Sequence, residues 1–121
     1  MINVSGGGSL DVVSSGGEPT AIPTDPVERG RLLFSSTPAI CSTCHALKPD
    51  VIVVGPSLAG VATRAETRVP GQSAEAYIRS SILHPSDYVV EGFPDAMVKD
   101  FGEILTADQI NDLIAFLLTQ K

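Results

Sequence analysis

Tryptophan is absent from this 121-residue chain, and the aromatic supply is four phenylalanines and two tyrosines. Large aromatic side chains, which bury about 150–250 Å² each, therefore contribute little to its core. Basic residues are scarce too: eight lysines and arginines stand against fourteen acids, giving a formal net charge of −6. That balance excludes the basic footprint of a nucleic-acid binder. No apolar run approaches the roughly 18 residues of a membrane span. Cysteine and histidine occur only twice each. A four-ligand zinc site would consume Cys41, Cys44, His45 and His84 together, and no H-x3-5-H pair exists to form one.

What is present is concentrated in one pentapeptide. Cys41-Ser42-Thr43-Cys44-His45 uses both cysteines and one histidine in the spacing of covalent c-type haem attachment. Each thiol can add to a vinyl group to form a thioether, and the histidine beside the second cysteine can turn its imidazole onto the iron. A disulfide or thioredoxin-type pair would use the cysteines alone, but that motif belongs beside a strand-helix-strand rhythm that is missing here. The porphyrin would also supplement the thin aromatic core, acting as structure as well as cofactor.

With 43% hydrophobic residues, the chain fits one compact domain with a modest core. Met1 to Thr24 is rich in glycine and serine, carries Pro19 and Pro23, and reads as a flexible tether; residues 25–121 form the domain. Residues 1–24 lack the basic start and apolar core of a secretion signal. Haem of this kind is attached after export, so a leader or anchor is expected upstream of Met1 or already removed. Charge is uneven along the domain. Asp87, Glu91, Asp95, Asp100, Glu103, Asp108 and Asp112 face the single base Lys99, an acidic half that either steers a basic partner or keeps the surface solvated.

Three helices are predicted. The first starts with Asp25 as N-cap and Pro26 at the first helical position, carries Val27, Gly30, Leu33 and Phe34, and ends near Ser35. Gly30 inside it costs about 1 kcal/mol relative to alanine, which a close crossing by another helix would justify. The second runs from Ser73 as N-cap to Leu83, before Pro85, with Ile78 and Ile82 or Leu83 on its apolar side. The last opens on the capping box Thr106-Ala107-Asp108-Gln109 and continues with Ile110, Leu113, Ile114 and Leu117, a stripe expected to pack on Gly30. Val51 to Val54, closed by Gly55-Pro56, reads as an extended loop on the haem with no pairing partner.

The position opposite His45 decides what the iron can do. Met97 is the only methionine besides Met1 and sits in the irregular stretch Gly92-Phe93-Pro94-Asp95-Ala96-Met97, where a loop can place a thioether. Core filling is its plain alternative. His84 competes, but at a helix end before Pro85 a histidine commonly meets terminal carbonyls instead.

Taken together, the haem motif, Gly55-Pro56-Ser57-Leu58, the Tyr77 to Pro85 helix, the Tyr88 to Met97 loop and the final helix resemble a class I c-type cytochrome of bacterial type over roughly residues 25 to 120. The resemblance implies an all-α fold of three main helices and loops around one haem c. It implies His45 as proximal and Met97 as distal ligand, with Tyr77 among the cofactor contacts. It also implies that the Pro56 carbonyl accepts a hydrogen bond from the non-ligating nitrogen of His45. Gly30, Phe34, Leu113 and Phe116 match the family's crossing of first and last helices. One departure is visible: the family commonly has proline after the methionine, and Val98 stands there.

Two axial ligands leave no vacancy for a substrate, so the expected function is one-electron transfer without enzymatic chemistry. Arg64 and Arg68 are candidates to offset the haem propionates, and the uncharged Ser42, Thr43 and Ala46 suit brief docking at the cysteine edge. The expected partners are redox proteins such as a quinol-oxidising complex, a terminal oxidase or a photosynthetic reaction centre. The expected location is the periplasm or the outer face of the cytoplasmic membrane, free or tethered through the N-terminus. The competing readings are a haem enzyme or gas sensor in which Met97 dissociates, and a domain of a larger multihaem assembly.

Overall fold

A computed structural model describes residues 23–121; the tether expected over residues 1–24 lies outside them except for Pro23 and Thr24. Among the described residues the regular structure is helical, in the order α1 (Pro26–Phe34), α2 (Val61–Ala65), α3 (Ala74–Leu83), α4 (Phe101–Ile104) and α5 (Ala107–Leu117). A single 3-10 turn, Cys41–Thr43, interrupts the connection from α1 to α2.

The three expected helices form where their caps direct. The Asp25 carboxylate accepts from Val27 N at 3.1 Å, and the Ser73 hydroxyl accepts from Ala76 N at 3.1 Å. Thr106 and Gln109 close a reciprocal capping box, with distances of 3.1 and 2.9 Å. Each cap satisfies N–H groups that have no partner in the first helical turn.

The molecule is organised by the crossing of α1 and α5. A Cβ at Gly30 would collide with the Asp112 carbonyl and lie 2.8 Å from Phe116 Cβ, so only glycine permits the approach. Phe34 and Phe116 meet with ring centroids 5.7 Å apart beside this contact. Leu113 and Ile114 are buried on the same side of α5. At the edge of the crossing the Arg29 guanidinium donates to both Asp112 carboxylate oxygens, at 2.8 and 3.1 Å. It also donates to the carbonyls of Pro23 and Thr24, at 3.2 and 2.8 Å. Asp112 is a buried acid that keeps its charge partner, the condition under which burial is tolerated. Neither α2 nor α4 was expected, and the Arg29–Asp112 pair joins residues too far apart in sequence for any local signal.

Val51 to Val54 departs from expectation in one respect. Ile52 does find a pairing partner, a single antiparallel bridge to His45. The side chains of Val51, Ile52 and Val53 face solvent, and only Val54 reaches the cavity described next.

Candidate functional site

The helices enclose a cavity of about 430 Å³, within the range of small-molecule and cofactor sites. Its walls are mainly apolar. Phe34, Ile78, Ile82, Phe101 and Leu117 come from four helices, and Pro38, Leu58, Val89 and Phe93 come from the loops. Cys41, Cys44 and His45 line it, and so do Pro56, Tyr77 and Met97. Residues spread over more than fifty positions of sequence thus meet at one space.

The cysteines are presented by the 3-10 turn, where the N–H groups of Cys44 and His45 both donate to the Cys41 carbonyl, at 3.2 and 3.0 Å. The two thiols are free. Burial pushes the Cys41 thiol up to about 11, so it stays protonated at neutral pH and is a poor candidate for spontaneous disulfide exchange. That environment is poorly suited to a redox dithiol.

His45 is held by main chain. Its Nδ1 lies 2.8 Å from the Pro56 carbonyl oxygen. A carbonyl can only accept, so Nδ1 donates to it, and Nε2 is the ring nitrogen left to reach a metal. The loop that supplies this carbonyl is itself pinned: Gly55 N donates to Cys44 O at 2.8 Å and Leu58 N donates to Ala46 O at 2.8 Å. Gly55 lies close against the imidazole, and a Cβ there would stand 2.5 Å from His45 Cε1 and 2.9 Å from Nδ1. Sequence reasoning saw Gly55 only as the close of a loop. The tertiary approach to His45 has no local signature.

Met97 is half-buried, packs against the core and lines the cavity with its neighbours Asp95, Ala96 and Val98. His84 is exposed and lies outside the lining; its backbone N–H caps α3 by donating to Ser80 O at 2.7 Å. The four-ligand zinc arrangement therefore does not assemble, and no group of three metal-ligating side chains converges among the described residues.

Tyr77 is buried at the cavity wall, edge-on to Tyr88 at 5.8 Å. Arg68 lies 6.0 Å from the Tyr77 ring centroid. Arg64 donates to the carbonyls of Ala59 and Ser57, at 2.5 and 2.8 Å. Neither arginine lines the cavity itself. The only carboxylate in the lining is Asp95, whose hydrogen bonds from Lys99 and Ser86 hold it below the usual carboxylate range.

These features fit a large apolar disc anchored at one edge. The walls offer apolar contact, two thiols line the same cavity, and an imidazole held through Nδ1 offers its other nitrogen. The family model described as Cytochrome c matches residues 27–121. No curated protein matches the chain.

Proposed function

The chain belongs to the cytochrome c family and binds haem c covalently at Cys41 and Cys44 as an electron-transfer protein, and on that premise we propose that His45 and Met97 would hold its iron. Bound haem c supplies a one-electron ferric/ferrous couple. The side chains decide whether anything else can happen there. His45 offers Nε2 while Pro56 keeps its ring from turning, and Met97 offers a neutral thioether. With His45 and Met97 both holding the iron, no coordination position would be left for a substrate, and the bound haem would supply electron transfer without binding one. A neutral thioether and an apolar wall both disfavour the more positive oxidised state, which raises the potential.

The observation that carries this reading is that Cys41, Cys44, His45 and Met97 line one apolar cavity while the competing His84 lies outside it. Arg64 and Arg68 are proposed to offset the propionates. Arg68 sits over the cavity-lining Tyr77, and Arg64 is fixed by carbonyls on either side of the cavity-lining Leu58.

Partners are proposed to be redox proteins such as a quinol-oxidising complex, a terminal oxidase or a photosynthetic reaction centre, met at the outer face of the cytoplasmic membrane or in the periplasm. Exposed Ile40, Val51, Ile52 and Val53 border the cysteine turn and suit brief apolar docking. No helix among the described residues is long and apolar enough to cross a membrane.

The test is the absorption spectrum of the haem-loaded protein, oxidised and reduced, beside Met97→Ala. A low-spin native spectrum with a methionine-to-ferric band that disappears in the variant is expected. A high-spin native spectrum indifferent to the substitution, with rapid carbon monoxide binding, would replace the carrier by a ligand-binding or enzymatic haem protein.

A further inference from the structure

The Met97 segment has Val98 where the family commonly has a stiffening proline, yet it is not without restraint. Lys99 Nζ lies 2.9 Å from Asp95 Oδ1, 3.3 Å from the Asp95 carbonyl and 3.4 Å from the Met97 carbonyl. The Ser86 hydroxyl donates to the same Asp95 Oδ1 at 3.0 Å. Ser86 follows the buried Pro85 directly after α3, so it is rooted in the packed part of the molecule. The backbone hydrogen bonds of residues 85–99 are local only, Asp87 N to His84 O and Phe93 N to Val90 O among the described residues.

We propose that Lys99, Asp95 and Ser86 form a polar clasp that positions Met97 and sets how readily its thioether leaves the iron. The inference rests on the His45/Met97 reading above. Lys99 is a positioning residue: it grips the main chain of Met97, and the ammonium ties that carbonyl through Asp95 and Ser86 to the end of α3. An isolated exposed ion pair contributes little because water screens it and long side chains lose freedom. Here one ammonium serves three acceptors and one carboxylate oxygen takes two donors, so the contacts support one another. They also close a loop whose backbone has no long-range hydrogen bonds of its own.

The clasp is tested on the ferric haem-loaded protein by the limiting rate at which excess imidazole displaces Met97, followed through loss of the methionine-to-ferric band. Lys99→Ala and Asp95→Asn are expected to raise that rate about three- to five-fold, the effect of an interaction at the upper end of those measured for exposed pairs. Lys99→Arg is expected to stay within about two-fold of native, because a cation still reaches the same acceptors. Arg79→Ala breaks a comparably exposed pair, Arg79 with Glu75 at 2.9 Å on α3, and is expected to change nothing. Native rates in Lys99→Ala and Asp95→Asn, with the native band present, would overturn the clasp and leave the ligand assignment standing. An equal acceleration in Arg79→Ala would also overturn it, as generic loosening. A native protein without the band would overturn the ligand assignment and the clasp with it.

Discussion

The segment that bears His45 and the segment that bears Met97 line the same cavity but are secured by different chemistry. Around His45 the main chain does the holding: Gly55 to Cys44, Leu58 to Ala46, and the Pro56 carbonyl on the imidazole itself. Around Met97 the holding contacts come instead from the side chains of Ser86, Asp95 and Lys99, four to nine residues apart and all of them exposed. Backbone hydrogen bonds between packed segments resist local opening, whereas exposed side-chain contacts open at little cost. The two ligands should therefore differ in permanence, with His45 staying on the iron under conditions that exchange Met97.

The largest expected break in this contrast comes from Gly55→Ala. The new methyl would meet His45 Cε1, Nδ1 and Nε2 at 2.5, 2.9 and 3.1 Å, and the ring cannot retreat without giving up Pro56. Overpacking of this kind typically costs about 1–3 kcal/mol. Thermal unfolding of the haem-loaded variant should begin several degrees lower, and its spectrum should report a disturbed proximal ligand. A variant with native melting and native spectrum would mean that the imidazole is freer than its surroundings imply.

Gly92→Ala is the matching change on the Met97 side and should cost less, for a different reason. A Cβ at Gly92 meets nothing within 4 Å, but its φ of 91° is disfavoured for a residue with a side chain. The expected penalty is about 1 kcal/mol of backbone strain, of the size seen for left-handed conformations. It should appear as faster displacement of Met97 by imidazole with the His45 signature intact. Disturbance of His45 by this substitution would show that the two segments are not independently held.

The same contrast explains what could be read in the sequence. Asp25-Pro26, Ser73 and the Thr106–Gln109 box are local devices acting within three residues, and all three main helices were legible from them. The Cys41–His45 spacing was legible because covalent chemistry fixes it. By contrast α2 and α4 are five and four residues long, too short for a hydrophobic period to emerge. Arg29 with Asp112 and Gly55 against His45 are tertiary meetings with no local pattern, and Gly30 was interpretable only because a helical glycine demands a neighbour. The Met97 segment has no repeating geometry at all. Its methionine could be singled out by rarity, whereas the Lys99 contacts could not be foreseen.

The smallest change sharpens the contrast by adding backbone rigidity where it is missing. Val98 N–H donates no hydrogen bond among the described residues, so Val98→Pro removes none, and it restricts Met97 toward extended conformations. A proline that suits the native backbone stabilises by about 0.4–1 kcal/mol, chiefly by restricting the unfolded chain. Applied to a locally opened Met97 loop, that is roughly a two- to five-fold fall in the fraction open, and imidazole displacement should slow accordingly. The same substitution should make the Lys99 clasp partly redundant, so Lys99→Ala should accelerate displacement less in the proline background than in the native one. A faster rate in Val98→Pro would mean that the backbone at Val98 differs from what proline accepts, and that this chain holds its methionine by side chains because its loop takes a path the proline cannot follow.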